Sequence, residues 1–214
     1  MRVVLLGVPG SGKGTHGRRL ATALRVPLVA TGDILRQAIS EGTPLGRSAE
    51  ADVKSGRLVP DATMLGLVGE RLAAGDAARG FVLDGFPRTV PQAEGLGRIL
   101  GERRLDRVVN LVVAAEVVVN RLKDRWLCGI CGAIYNVASA RPRTQGVCDR
   151  CGGMLKQRPD DRADTVRDRL VVYERETAPL VAYYERAGLL HNVDASATAE
   201  RVYAAIAEAV GVAA

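Results

Sequence analysis

The chain has 214 residues, 47% of them hydrophobic, and a formal charge of +6 at neutral pH. That is enough apolar sequence for one domain with a substantial core, and no apolar run reaches the ~18 residues of a membrane span. The opening "MRVVLLGVPG" is too short before its glycines to be a secretory leader, so the expected setting is cytoplasmic, with no membrane partner. Net positive charge suits nucleic acid, an acidic surface or a small polyanionic substrate and does not choose among them. Only four of the 30 basic residues are lysine, and the arginines are spread along the whole chain without a basic tail.

In chain order, "VVLLG" (3–7) is an apolar run that ends in glycines, and 13–24 follows with helical spacing. "VPLVA" (26–30) predicts a short second strand. Three helical stretches, 32–40, 44–54 and 61–74, then occur with no strand among them, forming an excursion whose business end is 31–60. Further strands are predicted at 81–84, 108–114 and 189–194. Five strands separated by helices give an α/β fold with a parallel sheet covered on both faces. The segment 125–160 differs, carrying all four cysteines and much Gly and Pro with little helical periodicity, and reads as a small insertion in a single domain spanning 1–214. Helices are expected again at 164–176 and 179–187, the second with Pro179 in its first turn, where a missing N–H costs little.

"GVPGSGKGT" (7–15) sits between the first strand and the first helix. Glycines there let backbone N–H groups close around an anion at a helix N-terminus, and Lys13 can reach outer phosphates. The usual phosphate loop places its hydroxyl directly after the lysine. Here Gly14 holds that place and Thr15 carries the hydroxyl one position later.

The cysteines are spaced "CGIC" (128–131) and "CDRC" (148–151), a C-x2-C-x16-C-x2-C pattern. Four soft thiolates suit a closed tetrahedral Zn2+ site with no position for substrate. Two local disulfides are the alternative, but they would staple very little chain. With the metal bound, the formal charge falls from +6 to about +4.

The displaced hydroxyl carries a family resemblance. "GVPGSGKGT" is similar to the loop of nucleoside monophosphate kinases, and "TGDILR" (31–36), "SGRLVPD" (55–61), "GFVLDGFPRTVPQAE" (80–94) and "DDRADTVRDRL" (160–170) follow in the order found in adenylate kinases of the long-lid, zinc-binding form. The resemblance runs from Arg2 to Val193. It implies a P-loop kinase-like five-stranded sheet, a helical monophosphate-binding excursion (31–60) and a zinc-binding lid (125–160). The implied reaction is reversible transfer of the terminal phosphoryl group of Mg-ATP to AMP, giving two ADP, a role in adenine nucleotide homeostasis. Phosphoryl transfer between two nucleotides gathers many negative charges, so catalysis becomes positioning plus neutralisation, and arginines must converge.

By resemblance the catalytic set is Lys13, Arg88, Arg125, Arg158 and Arg169, with Asp84 holding Mg2+ through water. ATP would be held by Gly10, Ser11, Gly12, Lys13, Gly14, Thr15 and Arg125, with Ile134 and Tyr135 of the lid and the loop at Ala197 bordering the nucleotide. AMP would meet Thr31, Arg36, Arg57, Leu58, Val59, the Gly85, Phe86, Pro87, Arg88 turn, Arg158 and Arg169, with Gln92 reading adenine through its carboxamide. Zn2+ would take Cys128, Cys131, Cys148 and Cys151. Arg121 is a weaker phosphate candidate, and Asp33 reads equally as a second acid of the site or as a helix cap. His16 and His191 read as packing residues, and Trp126 as packing at the lid hinge. The expected partners are the small molecules ATP, AMP and ADP, with no nucleic acid and a monomeric chain. A UMP/CMP kinase is the neighbouring alternative, opposed by the long lid and Gln92. A zinc-ribbon nucleic-acid binder is the distant one, opposed by a ribbon, "GAIYNVASARPRTQGV", with one Tyr and two Arg.

Overall fold

The computed structural model describes residues 1–212. The chain runs β1 (Arg2–Gly7), α1 (Lys13–Leu24), β2 (Leu28–Ala30), α2 (Thr31–Ser40), α3 (Pro44–Ser55), α4 (Asp61–Ala73), β3 (Phe81–Asp84), α5 (Val90–Leu100), β4 (Arg107–Val112) and α6 (Ala115–Lys123). It continues through β5 (Arg125–Cys128), β6 (Ile134–Asn136), β7 (Leu155–Lys156), α7 (Ala163–Val172), α8 (Pro179–Arg186), β8 (Leu190–Asp194) and α9 (Ala199–Val210).

β1 lies between β3 and β4 in an all-parallel sheet ordered β2-β3-β1-β4-β8. Its unbroken apolar run follows from burial on both faces. Val4 and Leu6 point into one core with Leu83, Val108, Phe86 and residues of α4 and α5, while Val3 and Leu5 point into the other with Leu20, Val109 and Ile206. Because β1 sits where the strand order reverses, the carboxyl ends of β1 and β3 open onto one crevice. Leu5 pairs in register with Asp84, which brings the Asp84 carboxylate beside the glycine loop that follows β1.

The strands at 26–30, 108–114 and 189–194 are one to two residues shorter than their apolar runs, as strand ends usually are. The two C-terminal helices expected at 164–176 and 179–187 are joined by a π-helical turn, Tyr173–Thr177, that carries one straight through to the other. α2 and α3 cross closely. Thr43 caps α3 by accepting from the Gly46 N–H (3.1 Å), and a Cβ on Gly46 would lie 2.0 Å from the Ala38 carbonyl oxygen, so only glycine permits the crossing.

Residues 125–156 hold a second, antiparallel sheet ordered β6-β5-β7, which turn chemistry hid from periodicity. Its small core gathers Cys128, Ala133, Tyr135, Cys148 and Leu155 under Trp126. Trp126, the second residue of β5, packs against this core from the entrance of the unit.

Candidate active site

α1 starts at the end of the glycine loop. Gly12 is its N-cap at φ 102°, a conformation open to glycine, and no side chain caps the helix and no acidic residue occupies its first turn. The N–H groups of that turn are therefore directed at whatever fills the loop. Lys13 Nζ folds across it, donating to the Gly7 and Val8 carbonyls (2.6 and 2.9 Å) with Ser11 Oγ at 3.4 Å. Ser11 is buried, while Thr15 is exposed in the first turn of the helix. The absent side chain of Gly14 faces Asp84 Oδ2 (3.4 Å) on one side and the lid's Ile134 Cδ1 (4.0 Å) on the other. A second lid contact runs from Arg18 to the Gly132 carbonyl (3.0 Å).

Arginines converge on the same crevice. Arg88 Nε donates to the Gly85 carbonyl (2.8 Å), and Thr177 Oγ1 donates to the Arg88 carbonyl (2.8 Å), fixing the turn after β3. Arg125 grips Asp161 with both Nε and Nη2 (2.8 and 2.5 Å). Arg169 meets the Asp160 carboxylate (3.0 Å) and lies 3.6 Å from Asp161. Asp33 collects Arg36 (2.6 Å), Arg158 (3.3 Å) and Arg18 (3.5 Å), which resolves its sequence ambiguity toward an acid that gathers arginines and away from a cap.

The crowding shows in the titration of these groups. Burial pushes Lys13 down to about 8, with Asp84 opposing and Arg88, Arg169 and Arg125 adding to the fall. Burial and Arg169 bring Arg88 down to about 10, and burial with Arg36 and Arg125 does the same to Arg158. Burial alone would raise Asp160, yet Arg169, Arg36, Arg158 and Arg125 outweigh it and hold the carboxyl below its ordinary value. Six cations, from α1 (Lys13), α2 (Arg36), β5 (Arg125), α7 (Arg169) and two connecting turns (Arg88, Arg158), share a space with a smaller number of carboxylates, and a polyanion is the ligand that relieves them.

A cleft lies between α2–α3 and the turn after β3. Thr31, Arg36, Arg57, Leu58, Val59, Gly85, Arg88, Gln92 and Arg169 all line it. Phe86 and Pro87 do not: both are buried, Phe86 fully, and they shape the turn from behind, because an apolar pair at this bend is worth more in the core than in a wet cleft. Arg158 reaches the cleft's edge through Asp33. Asp160, Leu35, Val53 and Met64 also line the cleft and were not anticipated. The "DDRAD" run was the available signal for Asp160, an acid that pairs with Arg169 one element further on.

On the other side, Arg121 donates to the Ala195 carbonyl (2.9 Å), which places α6 against the loop that carries Ala197. His16 is buried beside Gly12, and burial with Arg19 and Arg121 lowers its pKa, which keeps the ring neutral at physiological pH. The Tyr135 side chain is turned into the lid. Its ring is in the lid core, its hydroxyl lies 3.5 Å from Cys148 Sγ and accepts from the Asp149 N–H (2.8 Å), so only its backbone is left for a nucleotide.

In the lid, the four cysteine sulfurs all lie within 4.8 Å of one another, near the ~3.8 Å edge of a tetrahedron with 2.3 Å zinc–sulfur bonds. Each pair sits on a matching backbone knuckle, with Gly132 N–H donating to the Cys128 carbonyl (3.1 Å) and Gly152 N–H to the Cys148 carbonyl (2.9 Å). The hydroxyl of Tyr135 holds Cys148 down at about 6. Cys151, although the Gly153 N–H favours its thiolate, is driven up to about 12 by the neighbouring sulfurs. Four thiolates therefore need a cation among them, and the donor set fits a soft tetrahedral metal.

The family model described as adenylate kinase matches residues 5–189. The chain is 49% identical to an adenylate kinase of Citrifermentans bemidjiense over 212 residues, 98% of this chain and 99% of the relative. It is 50% identical to one of Moorella thermoacetica over 213 residues, 99% and 98% of the two chains. An adenylate kinase of the archaeon Archaeoglobus fulgidus is 45% identical over 205 residues, 95% of this chain and 94% of the relative. No helix among the described residues is long and apolar enough to cross a membrane. A glycine loop with its hydroxyl displaced to Thr15, arginines converging on one crevice and full-length identity near one half place this chain in the adenylate kinase family.

Proposed function

We propose a division of labour for the reaction of this family, reversible transfer of the terminal phosphoryl group of Mg-ATP to AMP with two ADP formed. The loop Gly7–Thr15, Arg121, Arg125 and the lid backbone at Ile134 and Tyr135 hold ATP, with Ala197 beside its base. Arg36, Arg88, Thr31 and the cleft they line hold AMP. Lys13, Arg88, Arg125, Arg158 and Arg169 neutralise the charge that develops between the nucleotides, and Asp160 and Asp161 keep Arg169 and Arg125 aimed. Asp84, at the end of β3 and facing Gly14, would hold Mg2+ through water, and that ion would offset charge on the transferring phosphoryl group. Zn2+ on the four cysteines would stiffen the lid and stay outside the chemistry. The units 31–60 and 125–160 would close over the substrates, excluding water that would otherwise accept the phosphoryl group. The chain acts in this reading as a cytoplasmic monomer with nucleotides as its only partners.

The observation that carries this reading is the cluster of six mutually repelling cations between the glycine loop and the cleft beside Arg88. The experiment is a coupled assay with each monophosphate in turn. AMP is expected to be phosphorylated with kcat/KM at least about tenfold above CMP, UMP or GMP. Comparable rates with CMP and AMP would move the chain to a pyrimidine kinase specificity.

A pH dependence follows from Lys13. With its pKa near 8 in the free protein, the ammonium is lost as the pH rises through that value, and kcat/KM for ATP falls along the same limb. Bound phosphates raise the lysine's pKa again, so kcat stays flat over that interval. A kcat/KM for ATP that is level from pH 7 to about 9.5 would show that Lys13 keeps its charge.

A further inference from the structure

Gln92 is 1% exposed, lines the cleft, and already has half of its hydrogen-bonding capacity committed. Its Oε1 accepts from the Arg88 N–H (2.8 Å), and its Nε2 donates to Asp61 Oδ1 (2.7 Å). Asp61 is itself held by Thr89, whose hydroxyl donates to both carboxylate oxygens (3.1 Å each) while accepting from the Gln92 backbone N–H (3.2 Å). A carboxamide has two N–H donors and two acceptor lone pairs. Among the described residues nothing else bonds the Gln92 side chain, so one N–H and one lone pair remain.

We propose that Asp61 is the positioning residue that makes this cleft select a 6-aminopurine over a 6-oxopurine, by preventing the Gln92 carboxamide from turning over. The proposal rests on reading the cleft as the AMP site. A 6-aminopurine presents a donor on its exocyclic nitrogen and an acceptor at N1, which match the remaining lone pair and N–H of Gln92. A 6-oxopurine presents the reverse, an acceptor at O6 and a donor at N1. A freely rotating carboxamide would serve both bases by flipping. In this protein a flip would set Oε1 against the Asp61 carboxylate and Nε2–H against the Arg88 N–H, leaving two buried polar contacts repulsive. The Arg88 N–H is backbone and common to any side chain. Asp61 is the half of the lock that the sequence chooses, and as a charged acceptor it is the stronger half.

The test measures kcat/KM for AMP and for IMP, which lacks the 2-amino group and so isolates the 6-position. Asp61→Asn keeps the shape but can accept from, or donate to, Gln92. Asp61→Ala removes the partner, and if it fails to fold the isosteric Asn variant still decides. In both, the AMP-to-IMP ratio is expected to fall by about tenfold or more, mainly through a lower KM for IMP and a higher one for AMP. A simple loss of stability would lower both activities together and leave the ratio in place. Folded Asp61→Asn with the wild-type ratio overturns the proposal. Gln92→Leu separates it from the reading beneath it: if that variant retains the wild-type ratio, the cleft does not read the base through Gln92 and the AMP-site assignment itself fails.

Discussion

Lys13→Met is expected to lower kcat by roughly 10² or more, and Arg88→Ala to do the same, with the melting temperature hardly changed. Each removes a charge placed before the reaction begins, in a crevice where burial strengthens electrostatic interaction. Stability should hold because these cations cost the folded state energy. The folded pKa of Lys13, about 8, lies below its ordinary 10.5. A lysine shifted that way destabilises the fold while it is protonated, at neutral pH and below, and the cost fades as the pH rises from 8 toward the unfolded value. An apolar side chain at position 13 removes that cost while forfeiting the carbonyl contacts to Gly7 and Val8. The checks are steady-state turnover at saturating nucleotides and a thermal melt. Near-native turnover in either variant takes that residue out of the catalytic set.

Replacing Cys128, Cys131, Cys148 and Cys151 together with Ser is expected to disorder the lid and lower the melting temperature by about 10 °C, at roughly 2–4 °C per kcal/mol for a chain of this size. The lid's own core is five buried residues under one Trp, too little to fold without the metal. Metal analysis of the native protein should give about one zinc per chain. At temperatures well below the variant's melting point some turnover should survive, since the glycine loop, Arg88 and the main sheet do not touch the cysteines. Native protein without zinc contradicts the structural assignment. A folded, zinc-free variant as inactive as Lys13→Met would give the metal a part in the chemistry that its four sulfur ligands leave no room for.

The parallel sheet and both phosphate-facing segments were legible because each rests on a local rule. "VVLLG" before glycines is a buried strand feeding a loop, and C-x2-C twice is a pair of knuckles. What escaped depends on contacts far apart in sequence. Asp61 and Gln92 are 31 residues apart, and their bond exists because α4 and α5 start side by side. "TVPQ" at 89–92 carries the pattern of a capping box, and that pattern is the local hint that Gln92 would be tied down. The structure shifts the motif by one residue, with Gln92 reaching the Arg88 N–H in place of the Thr89 one. The inward turn of the Tyr135 side chain was hidden for a related reason. In β6, Ile134 and Asn136 are half-buried on one side and Tyr135 is buried on the other, and strand alternation cannot be read in a three-residue element with no flanking pattern.

The central claim is that the converging cations serve phosphoryl transfer between two bound nucleotides, with water shut out. It is tested most directly by following ATP labelled in its terminal phosphoryl group, with AMP present and absent. The account predicts that with AMP the label passes into ADP, with two ADP formed for each ATP consumed, and that without AMP almost none is released as inorganic phosphate. Release of labelled phosphate at a comparable rate whether or not AMP is present would contradict it, because the cluster would then be neutralising a hydrolysis and the cleft beside Arg88 would not hold the acceptor.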